Sequence, residues 1–185
     1  MAAEPLVLAS RSPQRRALLE QLGVEFRVEP AEVDELREGD PLEAVLENAL
    51  RKARAVHGAR VLGADTEVVL GRELLGKPRD EDEAEKFLRR LSGRDHEVMS
   101  GIALRTAEEE LTDVAVTQVR FRPLSEREIA WYLASGEWRE RAGGYAIQGR
   151  GALLVTRIEG DYLNVVGLPV AALVDLWPEL VEQAR

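Results

Sequence analysis

The residue types best suited to chemistry in this chain are basic side chains set near carboxylates. Ser10-Arg11-Ser12-Pro13-Gln14-Arg15-Arg16 brings hydroxyls and guanidinium groups to a predicted helix start. Acidic residues normally occupy a first helical turn, where each cation costs roughly 0.3 to 1 kcal/mol. Free backbone N–H groups, hydroxyls and arginines at one point make an anion site, most simply for phosphate. The alternative is that the arginines splay into solvent or pair with distant carboxylates. Further along stand Glu32-Val33-Asp34-Glu35, Lys52, Gly63-Ala64-Asp65-Thr66-Glu67 and Gly76-Lys77-Pro78. Carboxylates at Glu35 and Asp65 with cations at Arg15, Lys52 and Lys77 suit metal-assisted phosphate chemistry. Mg²⁺ takes one or two carboxylates and fills its remaining positions with water and phosphate oxygens.

The elements that must position these groups follow from patterning. Leu6-Val7-Leu8-Ala9 reads as a strand, and Ser12 with Pro13 opens a helix that Gly23 ends. Val24, Phe26 and Val28 alternate with charged residues, as in a short strand that is antiparallel or at an edge. Asp40-Pro41-Leu42-Glu43 reads as a capping box for a helix to about Val56, with an apolar stripe of Leu42, Val45, Leu46, Ala49, Leu50, Ala53 and Val56. Lys52 falls about 20° beyond Val45 at the stripe's flank, able to reach a cleft or merely to snorkel at the core margin. Arg60 to Leu70 is an extended run in which Gly63 and Ala64 allow a close approach, and Asp65 violates strand preference, a sign of function.

Glu73 to Leu75 reads as a return strand, and Asp80-Glu81-Asp82-Glu83 as a second capping box before a helix ending at Gly93. His96 to Arg105 and Ala115 to Arg122 are predicted strands, and Ser125-Glu126-Arg127-Glu128 caps another helix. Gly143, Gly144, Gly149 and Gly151 surround Tyr145-Ala146-Ile147-Gln148, a density that signals ligand approach, unusual dihedrals or a plain flexible loop. Ala152 to Ile158 and Tyr162 to Val166 read as strands, followed by a terminal helix from Val170 to about Trp177. His57 and His96 read as surface or boundary residues.

Composition narrows the class. At 185 residues and 45% apolar content the chain can bury one core, so a single domain over 1–185 is expected. No apolar run reaches membrane-spanning length and no secretory leader is read, so no membrane partner is expected. Thiol catalysis and cysteine-based zinc sites are excluded, because the chain has no cysteine. The formal net charge of −9 argues against a nucleic-acid polymer as partner and toward a small anionic ligand for the local cations. Gly71 to Lys77 matches the P-loop spacing, but Pro78 stands where the magnesium-binding hydroxyl belongs. Gly149-Arg150-Gly151 precedes a predicted strand and lacks the third glycine of a dinucleotide fingerprint.

The ordered set Leu8-Ala9-Ser10-Arg11-Ser12-Pro13-Gln14-Arg15-Arg16, Lys52-Ala53, Gly63-Ala64-Asp65-Thr66, Gly76-Lys77-Pro78, Leu91-Ser92-Gly93, Gly144-Tyr145-Ala146-Ile147-Gln148-Gly149 and Gly160-Asp161-Tyr162 to Gly167-Leu168-Pro169 resembles the Maf family of nucleoside triphosphate pyrophosphatases. The resemblance implies an α/β fold: a long curved mixed β-sheet flanked by helices, two lobes with a central cleft, similar to inosine triphosphate pyrophosphatases. It implies a cytoplasmic homodimer that hydrolyses a nucleoside triphosphate to monophosphate and pyrophosphate with Mg²⁺ or Mn²⁺. Carried over, Asp65 is the catalytic carboxylate that activates water or holds the metal, and Glu35 assists with metal. Ser10, Arg15, Lys52 and Lys77 bind the triphosphate.

Thr66 and Gln148 match the dTTP/UTP branch, and a glutamine amide complements O4 and N3–H of thymine or uracil. Gln14 departs from that branch, which usually has arginine there. A related branch acting on 7-methyl-GTP tends to carry a bulky residue at that position and others at Thr66 and Gln148. A nucleotide-binding regulator of cell division with incidental hydrolysis is the reading from a different class.

Overall fold

The computed structural model describes residues 5–183. Strand β1 (Leu6–Leu8) leads into helix α1 (Pro13–Gln21), whose N-cap Ser12 accepts a hydrogen bond from the Arg15 amide at 3.4 Å. Gly23, at φ 68°, turns the chain into β2 (Phe26–Val28). This strand lies at the sheet edge but runs parallel to β1, because α1 carries the chain back between the two. Helix α2 (Pro41–Arg54), β3 (Val61–Leu70), the antiparallel return β4 (Glu73–Leu75) and α3 (Glu81–Leu91) follow. The long strands β5 (Asp95–Arg105) and β6 (Glu110–Phe121), helix α4 (Glu126–Leu133), β7 (Val155–Glu159), α5 (Tyr162–Val166), α6 (Val170–Leu176) and α7 (Leu180–Gln183) complete the chain.

The expectation of an α/β fold with a mixed sheet flanked by helices is met: seven strands form one sheet in the order β2-β1-β3-β5-β6-β7, with β4 beside β3. Neighbours β2, β1 and β3 are parallel, whereas β3, β5, β6 and β7 pair antiparallel. Alternation along β1 feeds both faces. Leu6 and Leu8 pack with Leu19, Leu173 and Trp177 of the α1 and α6 side, while Val7 and Ala9 pack with Ala49 and Ala53 of α2. A further cluster joins α3 and α4 through Leu88, Leu91, Ile129, Tyr132 and Tyr145.

Gly63 and Gly101 set how closely α2 approaches the sheet. A β-carbon on Gly63 would stand 2.1 Å from the Ala49 carbonyl oxygen, and one on Gly101 2.3 Å from that of Val45. The close approach expected at Gly63-Ala64 is therefore made by a helix backbone. The predicted stripe is buried at Val45, Ala49, Ala53 and Val56, but Leu42 is exposed and the buried face extends instead to Ala44, Asn48 and Lys52.

Several local expectations are corrected. Tyr162–Val166 is helical, because Asp161 caps it by accepting from the Leu163 amide at 2.8 Å and Asn164 turns inward to the Val98 carbonyl at 3.0 Å. The predicted strand from Ala152 starts only at Val155, since Gly149–Leu154 forms 3₁₀ turns with Gly151 lodged against the Ala146 carbonyl. The reciprocal capping box forms at Ser125 and Glu128, whereas Asp40 and Asp80 cap one-sidedly and Glu83 bonds Arg79 instead. His96 is buried: its Nε2 lies 2.8 Å from the Tyr145 hydroxyl, and its ring packs edge-on against Phe121. Burial drives its pKa down to about 4, so it stays neutral at physiological pH.

Candidate active site

A cleft of about 1060 Å³ gathers every residue singled out for chemistry: Ser10, Gln14, Arg15, Glu35, Lys52, Asp65, Thr66, Lys77 and Gln148 all line it. At its floor Asp65, on β3 opposite Gly101, is buried with both carboxylate oxygens bonded. The Lys52 ammonium donates to Oδ1 at 2.7 Å, and the Asn48 amide donates to Oδ2 at 2.8 Å. These donors stand one turn apart on the face of α2 that the two sheet glycines admit.

Asn48 escaped the sequence reading, although a polar residue four positions before Lys52 on the buried face was a signal for it. Besides Asp65 it binds Leu36 twice, accepting from its amide at 2.7 Å and donating to its carbonyl at 3.0 Å. Arg51 adds a bond to the Asp34 carbonyl at 2.9 Å. The acidic loop is thereby tied to α2, and Glu35 meets Lys52 at 2.6 Å. Burial works against the charged form of Glu35, but the Lys52 ammonium prevails and holds its carboxyl below the usual range.

One ammonium thus draws oxygens of Glu35 and Asp65 to a common point. Two convergent carboxylates beside an open cleft are the donor set that Mg²⁺ accepts, with water and phosphate oxygens as its other ligands. No cluster of three metal-ligating side chains occurs among the described residues. Glu67, two residues along β3, does not join the pair. One of its oxygens is buried without a hydrogen-bond partner, and burial beside Asp65 and Glu35 pushes its pKa up to about 8.

The helix-start arginines separate by role. Arg11 pairs with Glu32 and Arg16 with Glu20 on the surface, each at 2.8 Å. Arg15 turns inward and is 7% exposed. Its Nε donates to the Gly167 carbonyl at 2.8 Å, Nη1 to the Ala64 carbonyl at 2.9 Å and Ser10 Oγ at 3.0 Å, and Nη2 to Thr66 Oγ1 at 2.9 Å. Four of its five N–H groups are committed within the protein, leaving one for a ligand. Thr66 is equally engaged, its hydroxyl lying 2.7 Å from Ser100 Oγ and 3.3 Å from the Gly167 carbonyl.

The facing side is open. Lys77 is exposed beside Glu140 at 3.4 Å, and Gln148 is exposed, its side-chain amide bonded to none of the described residues. The glycine density around them is explained by packing and dihedrals. Gly143 has φ 66° and lies where a β-carbon would collide with Val68 at 2.8 Å.

Known proteins share this arrangement's sequence. The family model described as "Maf-like protein" matches residues 5–180. A Thermus thermophilus protein named dTTP/UTP pyrophosphatase is 54% identical, with 90% of each chain covered. One of the same name from Symbiobacterium thermophilum is 52% identical over 94% of this chain and 92% of its own. A third, from Pyrococcus furiosus, is 43% identical over 92% and 93%. With its candidate site residues gathered in one cleft and a family match across residues 5–180, the chain belongs to the Maf family.

Proposed function

We propose that this chain hydrolyses dTTP and UTP to the monophosphate and pyrophosphate. The observation that carries the reading is the Lys52-bridged pair of Asp65 and Glu35 at the floor of a cleft lined with further cations. The dTTP/UTP pyrophosphatase name borne by relatives at 52% and 54% identity supports the substrate.

Hydrolysis at the α-phosphorus needs a water oriented for attack and charge stabilisation for the departing pyrophosphate. Asp65, fixed by Asn48 and Lys52, presents a carboxylate whose orientation is set before substrate arrives. Lys52 and the remaining Arg15 N–H offer positive charge from the floor, and Lys77 offers it from the rim. Ser10 holds the Arg15 guanidinium. Glu35 and Asp65 would hold Mg²⁺ or Mn²⁺, which when bound acidifies water and neutralises phosphate charge.

Base selection falls to Gln148, whose free amide supplies the donor and acceptor that thymine and uracil require. The Thr66 hydroxyl acts at one remove by orienting Arg15. The family resemblance also supports a cytoplasmic homodimer, for which light scattering should give twice the 20.6 kDa chain mass.

The test is a panel of canonical nucleoside triphosphates and 7-methyl-GTP with Mg²⁺ or Mn²⁺, scoring pyrophosphate and monophosphate. The reading predicts the highest kcat/KM for dTTP and UTP. Preference for 7-methyl-GTP would overturn the base assignment. Tight binding without pyrophosphate release would favour the nucleotide-binding regulator.

A further inference from the structure

Arg141 is the cleft cation that the sequence reading passed over. It lines the cleft with Gln14 and Lys77, yet forms no ion pair among the described residues. Its Nη1 donates to the Gln14 side-chain oxygen across 127 positions of sequence, and its Nε is buried with no hydrogen-bond partner. Most other cations of the cleft are partly engaged by carboxylates or carbonyls of the protein. Arg11 pairs with Glu32, Arg15 spends four donors on the protein, Lys52 bridges two carboxylates and Lys77 meets Glu140. Arg139, also without an ion pair among the described residues, lies over the Trp138 ring at 4.5 Å.

The backbone holds Arg141 in place. Glu140 before it is the one non-glycine residue at positive φ, 57°, among those described, a conformation that persists only where surroundings enforce it. Gly143 after it donates to the Gly76 carbonyl at 3.1 Å, locking this loop to the segment that carries Lys77. Gln14 is neutral and its oxygen already accepts from Arg141 and, at 3.3 Å, from Ser12 Oγ. That corner of the cleft therefore draws its positive charge from Arg141.

We propose that Arg141 is a substrate-contacting residue that binds the triphosphate chain of the nucleotide, supplying at the Gln14 corner a guanidinium that α1 does not. The proposal rests on the reading of the protein as a nucleoside triphosphate pyrophosphatase. A partly buried guanidinium with an unbonded donor and no carboxylate at ion-pair distance among the described residues recovers its lost hydration by binding phosphate oxygens.

The test titrates inorganic tripolyphosphate and, separately, dTMP into the full chain and its variants by calorimetry. Arg141→Gln should weaken tripolyphosphate binding about tenfold or more and leave dTMP within about twofold. Arg141→Lys, which keeps the charge but not the fork, should lose less. Adding Gln14→Arg to Arg141→Gln should restore most of the tripolyphosphate affinity, a rescue that a merely structural role would not give. Should Arg141→Gln fail to fold, the lysine variant carries the same comparison. Unchanged tripolyphosphate affinity, or a loss shared equally by dTMP, would overturn the proposal. Because this binding is read without turnover, failure of the wild-type protein to hydrolyse dTTP would refute the reaction separately and leave the role of Arg141 to be decided by the titration.

Discussion

On the floor of the cleft, built by β1, α1, α2 and β3, the polar groups are already bonded to protein: Asp65 to Lys52 and Asn48, Arg15 to Ser10, Ala64, Thr66 and Gly167. On the facing side, built by Lys77 and residues 139–148, Lys77 and Gln148 are exposed, and Arg141 has a donor to spare. The floor derives precision from saturation, since a carboxylate with both oxygens bonded has one orientation. The facing side keeps donors for a ligand and accepts the mobility that comes with exposure. Reaction chemistry belongs to the first arrangement and recognition to the second.

This contrast breaks most severely at Lys52. Lys52→Met would leave buried Asp65 and half-buried Glu35 facing each other without their shared cation. Removing one partner from a buried ion pair costs about 3–5 kcal/mol, so both the melting temperature and pyrophosphate release should collapse. Thermal unfolding and turnover measured on the same preparation check this, and a variant that kept full stability would show the floor to be less interdependent than its bonds suggest. Gln148→Ala tests the other side. It should raise KM for dTTP and UTP about tenfold, with kcat falling less and the melting temperature within about 1 °C of wild type, since the side chain is exposed and bonds none of the described residues. A large melting shift would place Gln148 among the structural residues.

The sequence made the floor legible in part. Ser12 and Pro13 announced α1, the Gly63-Ala64-Asp65 violation announced a special strand, and the flank position of Lys52 announced its reach. The predicted stripe of α2 holds at Val45, Ala49, Ala53 and Val56 but fails at Leu42, because two sheet glycines select the small-residue face and carry Ala44 and Asn48 inward. Arg15 was legible as a cation near phosphate, but its internal bonds depend on carbonyls at Ala64 and Gly167, 49 and 152 positions away. Arg141 gave no local signal, because its neighbour Gln14 is distant in sequence and its loop has no periodicity. Tyr162–Val166 looked like a strand from its β-branched and aromatic residues, and the Asp161 cap together with the inward turn of Asn164 decided otherwise.

The central claim is that Asp65 performs the chemistry while the cations around it bind the triphosphate. Asp65→Asn preserves shape but removes the carboxylate charge and turns one of the two acceptors of Lys52 and Asn48 into an N–H donor. Pyrophosphate release from dTTP with Mg²⁺ should fall by at least about 10³-fold, an expectation scaled to the loss of a general base or metal-holding carboxylate, while dTTP affinity measured by calorimetry stays within about tenfold of wild type. Turnover at the wild-type rate in this variant would contradict the account.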